Sequence, residues 1–311
     1  MNEIEKQIYR KILEFAEFLP TITYEEPSDF DKSFHEKLDS INKMSLIIPE
    51  KRQELMKDFY KICWENIDIG TMQRHSREKP LGYPGDYLII DYIYTKKIDS
   101  NGIGKLWDEF YHRQAAPQAV RNRKDYFCNI FERLCCEKKN DIIVLDIACG
   151  SCRDISEAVI KSGQKANGTL FHCVDMDGRS IDYAKEIVKN NCSPRVSFQW
   201  EAKNVFKLRF PQCYDLIWVS GLFDYLDDRS VIVLIKMMWK WTKKGGKIII
   251  GNFHPRNPTR NHMEWEGNWF LFYRTEAQML MICEQAKIPK ECVSFDNEPL
   301  GVNIFYIITK K

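Results

Sequence analysis

Apolar positions change their period once along this chain, near residue 141. Before that point they recur every three to four residues. Ile4, Ile8, Ile12, Phe15 and Leu19 fall on one face and predict an amphipathic helix over residues 2–19, ended by Pro20. Residues 30–70 read as further helix with a break near Pro49, and 51–66 carry the same 3.6-residue period. Pro80-Leu-Gly-Tyr-Pro-Gly-Asp86 is dense in turn formers, and a second helical region runs from about Gly104 to Leu134. No stretch of the first 135 residues alternates as a strand should, and no repeat or low-complexity linker interrupts it.

From residue 141 the pattern becomes short apolar runs separated by helical stretches. The runs are Asp141–Asp146, Leu170–Asp175, Val196–Trp200, Tyr214–Ser220 and Gly246–Gly251, followed by 292–296 and 302–309. Helical patterns lie at 153–162, 178–190, 229–242 and 275–286. Strands apolar on both faces, alternating with helices, predict a parallel sheet covered on both sides. The last two strands lie close together in sequence, so one of them is expected to run antiparallel at the edge. The fold class is therefore α/β with an N-terminal helical domain. The boundaries expected are 1–135 for the helical domain and 136–311 for the sheet domain.

Composition narrows the function classes. With 44% hydrophobic and 13% aromatic residues, 311 residues can bury a full core. The 46 basic and 44 acidic residues divide at residue 125 into 20 and 22, then 26 and 22, so neither half has the basic excess of a nucleic-acid or anionic-membrane binder. Mean hydropathy is −0.43, with no apolar run of transmembrane length. The N-terminus, MNEIEKQIYRKILEF, does not read as a signal peptide, so a cytoplasmic location is expected. The eleven cysteines, odd in number and irregular in spacing, then read as free buried thiols. Only Cys149-Gly-Ser-Cys152 has C-x-x-C spacing, and no second pair accompanies it, so no metal site is expected.

In such a sheet, ligands bind beyond the carboxyl ends of the strands. The first end reads Asp146-Ile-Ala148-Cys-Gly150-Ser-Cys-Arg153-Asp154, a turn of small residues leading into a helix whose N–H groups can meet a polar ligand. The second ends in Asp175-Met176, and an acid 25 residues beyond Gly150 can accept hydrogen bonds from both hydroxyls of a ribose. After the third come Asn204 and Val205; the fourth gives Ser220-Gly221-Leu-Phe223-Asp-Tyr225, and the fifth Asn252-Phe-His254-Pro-Arg256-Asn-Pro-Thr-Arg260.

This order resembles the class I S-adenosylmethionine-dependent methyltransferases. Their first motif, D-x-G-x-G-x-G, appears here as Asp146-x-Ala148-x-Gly150-x-Cys152, with only the middle glycine kept. Asp175 matches the family's ribose-binding acid, and Asn204 stands where an adenine-contacting Asp is commoner. The resemblance implies a Rossmann-like seven-stranded sheet and S-adenosylmethionine as cofactor, with S-adenosylhomocysteine (SAH) as product. A narrower resemblance rests on Leu81-Gly-Tyr-Pro-Gly-Asp-Tyr87, Gln118-Ala-Val-Arg-Asn-Arg123, Ser220–Tyr225 and Asn252–Arg260, continued by Met263-Glu-Trp265, Trp269 and Tyr273-Arg274. These look like a bacterial group described as extracellular-factor 3-hydroxypalmitic acid methyl ester biosynthesis enzymes. That likeness spans roughly residues 70–310 and implies O-methylation of a fatty-acid-like carboxylate.

The cofactor contacts implied are Tyr83, Asp146, Ala148, Gly150, Arg153, Asp175, Met176, Asn204, Val205, Ser220 and Gly221. His254 is the candidate base, or else a hydrogen-bonding residue that holds its loop closed. Arg260, Arg256 and Arg274 are candidates to orient a carboxylate, against a plainer role as surface charges or partners of Glu264 or Glu266. Tyr225, Phe223, Asn252 and Tyr273 are candidate walls of the acceptor chamber. The Gly82–Tyr87 segment is either a lid over the cofactor or a tight interhelical turn. Trp265, Trp269, Phe270 and Phe272 read as packing before they read as a lipid tunnel. The expectation is a small-molecule methyltransferase without nucleic-acid partner or membrane span. The alternatives are N- or O-methylation of another small molecule or peptide, a non-catalytic cofactor binder, and a thiol-redox protein.

Overall fold

In the computed structural model, which describes residues 1–138 and 141–311, the chain divides into two compact units. One comprises Met1–Gln118 with Pro258–Phe270; the other comprises Ala119–Asn257 with Leu271–Lys311.

The first unit is helical. Helices α1 (Glu3–Phe18), α2 (Pro27–Ser45), α3 (Arg52–Ile67), α4 (Thr71–Glu78), α5 (Tyr87–Thr95) and α6 (Ile103–Arg113) follow one another. The apolar face read from the sequence is the one buried: Ile8, Ile12 and Phe15 join Phe34, Phe59, Trp107 and Trp265 in one core. Asn2 opens α1 with a reciprocal capping box to Glu5. The Gly82–Tyr87 segment forms the turn between α4 and α5. Asp86 caps α5 by accepting from the Leu88 and Ile89 amides, and its other oxygen lies 2.8 Å from His75 Nε2.

Helix α7 (Ala115–Glu137) carries the chain into the second unit, where β1 (Ile143–Ile147), α8 (Arg153–Ser162), β2 (Leu170–Asp175), α9 (Gly178–Asn191), β3 (Ser197–Ala202), β4 (Tyr214–Val219), α10 (Asp228–Trp241) and β5 (Thr242–Phe253) alternate. After the excursion through 258–270, which includes α11 (Arg260–Trp265), come α12 (Glu276–Gln285), β6 (Val293–Asn297) and β7 (Asn303–Thr309). The seven strands lie in the order β3-β2-β1-β4-β5-β7-β6. Strands β1 to β5 pair in parallel, and β7 runs antiparallel to both β5 and β6. The reversed strand thus lies one place in from the edge, not at it.

The compact units divide at residue 118, since α7 packs on the sheet. Phe127, Phe131 and Cys135 share a core with Val144, Phe171 and Trp218 on one face. On the other face Leu234, Met238 and Ile282 cover Leu145, Ile217 and Ile250. The order reverses between β1 and β4, and at such a switch point the strand ends leave a crevice.

Candidate functional site

The turn after β1 is built from backbone that L-residues rarely adopt. Ala148, Gly150 and Cys152 have φ of 57°, 55° and 51°. Only the glycine does so without strain, and the other two cost about 1–2 kcal/mol each. Hydrogen bonds hold this shape. The Cys149 amide donates to Val174 O (3.1 Å), the Gly150 amide to Asp175 Oδ2 (3.1 Å), and Ser180 Oγ to Gly150 O (2.8 Å). Asp175 Oδ1 accepts from the Asp177 amide at 2.9 Å. Asp175 is therefore fixed by backbone donors, and Met176 beside it is three-quarters exposed.

Asp146 is the anomaly of this region. It is buried, and its Oδ2 has no hydrogen-bond partner among the described residues. Burial, then the nearby carboxylates Asp154 and Asp175, push its pKa well above the usual carboxylate range. Ser151 Oγ in the same turn is also buried without a partner. Asp154, at the start of α8, is better satisfied, accepting from the Ile155 amide (2.9 Å) and Trp218 Nε1 (3.1 Å). An acidic cluster with an unmatched buried oxygen suits a cationic ligand group, and the residues present therefore fit a sulfonium or ammonium ligand. Cys149, Cys152 and Cys173 lie together in the buried core beneath. Burial first of all pushes all three thiols well above their usual value, and a thiol held protonated is a poor nucleophile.

Beyond β3, Asn204 is exposed and its Oδ1 accepts from the Phe206 amide at 2.9 Å, while Val205 is buried. Beyond β4, Ser220 O accepts from Arg123 of α7 at 2.7 Å. A Cβ on Gly251 of β5 would lie 2.8 Å from Ser220 O, so glycine there lets β4 and β5 approach at their carboxyl ends.

The turn after β4 is clamped to the end of β5. Asp224 Oδ1 accepts from the Phe253 amide (2.7 Å) and Asn252 Nδ2 (2.8 Å). Arg274 donates to Phe223 O (2.8 Å), Leu226 O (2.5 Å), Asn252 Oδ1 (2.9 Å) and Asp228 (2.9 Å). Asn252 and Arg274 are thus both buried and engaged within the unit. Asp224 is buried too, and burial raises its pKa to about 7 against the opposing pull of the Phe253 amide, Arg123 and Arg274. Its Oδ2 has no hydrogen-bond partner among the described residues.

His254 has both ring nitrogens engaged. Nδ1 accepts from the Arg256 amide (3.0 Å) and Nε (2.9 Å), and Nε2 faces Glu276 at 3.3 Å. This network assigns the proton to Nε2. Burial and then Arg256 lower its pKa, so the ring is neutral at pH 7 and has no lone pair to spare. Arg256 also pairs with Glu276 (3.2 Å). Phe223 is fully buried, and Tyr225 and Tyr273 are half-buried in the same loops. Tyr83 and Arg260 are built into the helical unit, Tyr83 in the α4–α5 turn and Arg260 on α11, paired with Glu264 at 2.6 Å. Trp265 and Trp269 are buried, whereas Phe270 and Phe272 are about half exposed.

Sequence reasoning passed over Asp224 and Arg123 as site residues. Both stand inside quoted motifs, and the available signal for Asp224 was an acid between aromatics just past a strand end. Among the described residues no group of three or more His, Cys, Asp or Glu side chains is placed to hold a metal ion, and no helix is long and apolar enough to cross a membrane.

A protein-family model described as a methyltransferase domain matches residues 138–298. No curated protein matches the chain. Among solved structures, a possible exported protein from Bordetella parapertussis is similar over 99% of this chain and 97% of its own, at 14% identity and a TM-score of 0.58. Magnesium protoporphyrin IX methyltransferase (ChlM) from Synechocystis PCC 6803 with bound SAH is similar over 72% of this chain and 98% of its own, at 11% identity and a TM-score of 0.50. At these identities the likeness is one of fold.

Proposed function

Since the chain belongs to the methyltransferase-domain family, we propose that it carries the methyl group of S-adenosylmethionine to a carboxylate oxygen of a small, fatty-acid-like molecule. When bound, the cofactor supplies an electrophilic methyl on a positively charged sulfur. Asp146 and the Ala148–Gly150 turn would face its amino-acid end, with Arg153 at the head of α8. Asp175 would take the ribose hydroxyls, and Met176, Asn204 and Val205 would flank the adenine. Ser220 and Gly221 would line the route to the reacting centre. The unpartnered Asp146 oxygen supports a cationic cofactor.

The observation that carries the acceptor class is the engaged ring of His254. A carboxylate is ionised at neutral pH and needs no base. Its negative charge and the sulfonium's positive charge cancel in the products, so no residue of this chain has to accept a proton. What remains for the protein is to orient the acceptor, with its oxygen about 3 Å from the methyl and in line with the departing sulfur, and to exclude water. Tyr225, Phe223 and Tyr273 would wall that space. The likeness to the 3-hydroxypalmitate methyl ester group supports the same acceptor.

A second reading is methylation of a hydroxyl or amine of another small molecule or peptide. It is favoured by Asp224, whose raised pKa and unengaged Oδ2 suit it to take a proton. One experiment separates the two. Methyl-labelled S-adenosylmethionine is incubated with the protein and a small-molecule extract, and the product is treated with alkali. Volatile labelled methanol is expected, because alkali cleaves methyl esters; label that survives alkali would move the second reading ahead.

A further inference from the structure

Arg123 is the arginine whose burial the fold leaves unexplained. It stands on α7, is about 5% exposed, and makes one hydrogen bond, from a terminal nitrogen to Ser220 O at 2.7 Å. Its Nε is buried without a partner, and among the described residues no carboxylate lies within ion-pair distance of it. A guanidinium carries five N–H donors in a fixed fork, and a desolvated charge is normally paired. The other arginines weighed for this role are paired: Arg274 with Asp228, Arg256 with Glu276, and Arg260 with Glu264.

Its surroundings say what it lacks. The guanidinium lies against Gly221, where a Cβ would be 3.5 Å from one terminal nitrogen and 3.6 Å from the other. It therefore sits beside the turn that closes β4, at the carboxyl edge of the sheet, with both terminal nitrogens toward Gly221. Asp154 and Asp224 both feel its charge, but neither is in an ion pair with it: Asp154 directs both oxygens to other donors, and Asp224 directs Oδ1 to the Phe253 amide and Asn252. A buried, under-bonded guanidinium that no carboxylate pairs is a receptor for a planar anion.

We propose that Arg123 is a carboxylate-binding site at the end of β4. The inference rests on the methyl-transfer reading, which offers two carboxylates: the acceptor's and that of the cofactor's amino-acid end. Ser220 and Gly221 beside it are the residues that would line the route to the reacting centre in the site proposed above.

The test uses the full chain with Arg123→Gln and Arg123→Lys. Calorimetry measures binding of SAH, of 5′-methylthioadenosine, which lacks the amino-acid end, and of decanoate to the SAH-loaded protein. Near-UV circular dichroism checks the fold. A loss of about 30-fold in decanoate affinity with SAH binding unchanged assigns the site to the acceptor. The same loss for SAH with 5′-methylthioadenosine unchanged assigns it to the cofactor carboxylate, and either result supports the site. Arg123→Lys keeps a donor for Ser220 O but not the fork, so it is expected to follow Arg123→Gln; it also serves if the glutamine variant does not fold. Full carboxylate binding in a folded variant would overturn the proposal, as would equal loss of SAH and 5′-methylthioadenosine, which marks Arg123 as a prop for the Ser220 turn. The ester reading fails separately: a wild-type product stable to alkali defeats it, whereas methyl ester made at the wild-type rate by Arg123→Gln defeats only the assignment of Arg123.

Discussion

The two ends of the central sheet treat buried acids in opposite ways. At the amino end, Asp215 of β4 is held by Lys138, by Lys243 at 2.8 Å and by the Ile143 amide at 2.9 Å. Burial alone would raise its pKa, but the two ammonium groups and the amide hold it below the usual value. At the carboxyl end, Asp146 has an oxygen with no partner, and Asp224 is satisfied on one oxygen only; both titrate above the usual range. The same side chain in the same sheet is complete at one edge and incomplete at the other. A fold gains nothing from an incomplete acid, so the difference marks where the molecule meets something else.

The sharpest way to break this comparison is to neutralise one acid at each end. Asp146→Asn is expected to lower SAH affinity at least ~100-fold by calorimetry while leaving the melting temperature unchanged or higher, because it replaces a buried acid whose Oδ2 has no partner. A variant that still binds SAH normally would remove Asp146 from the site. Asp215→Asn should do the reverse. It leaves two ammonium groups without their carboxylate and should cost about 3 kcal/mol in denaturant unfolding, with kcat/KM unchanged. Lost activity in a stable Asp215→Asn protein would erase the distinction between the two ends.

The pH dependence sharpens it further. Asp215 contributes stability that is present above its unfolded pKa and is lost as pH falls through its lower folded value. Asp224 runs the other way: its folded pKa of about 7 means stability present at low pH and lost as pH rises from about 4 to 7. Asp224→Asn should therefore gain on wild type as pH increases, by a few kcal/mol at pH 8, and a difference constant from pH 5 to 8 would show that Asp224 is ionised throughout. The smallest effect is expected at His254. If the acceptor is a carboxylate, His254→Ala should change kcat less than about 5-fold, whereas a 100-fold loss that steepens at low pH would restore the ring as a base.

Much of this was legible in the chain because period and order are local properties. The switch at residue 141 marks the first strand, and the helix expected at 153–162 is the one found. Helix α11, at six residues, is too short to show a period, and α5 was hidden behind the Pro–Gly turn before it. The apolar face of α7 shows that it packs, but only the fold shows that Phe127 and Phe131 pack on Trp218 and Phe171. The site divides the same way. Strand ends put Asp146, Asp175, Ser220 and His254 in view, whereas partners are set by distant segments. Nothing near His254 in sequence announces Glu276, and nothing near Arg274 announces the carbonyls of Phe223 and Leu226. Arg123 lies 97 residues from its carbonyl partner, so its under-bonded state is visible only in three dimensions.

The inward position of β7 also has a consequence for the ribosome. Ile248, Ile249 and Ile250 of β5 are buried on both faces, and their backbone partners Ile308, Ile307 and Tyr306 are translated well after them. About fifty residues separate the end of β5 from the start of β7. At roughly 5–20 residues per second, β5 waits about 3–10 s with one edge open. An isoleucine-rich open edge is a template for the wrong neighbour. Nascent chains stalled before residue 303 should therefore be found with chaperones or in aggregates, while those in which β7 has emerged close the edge themselves.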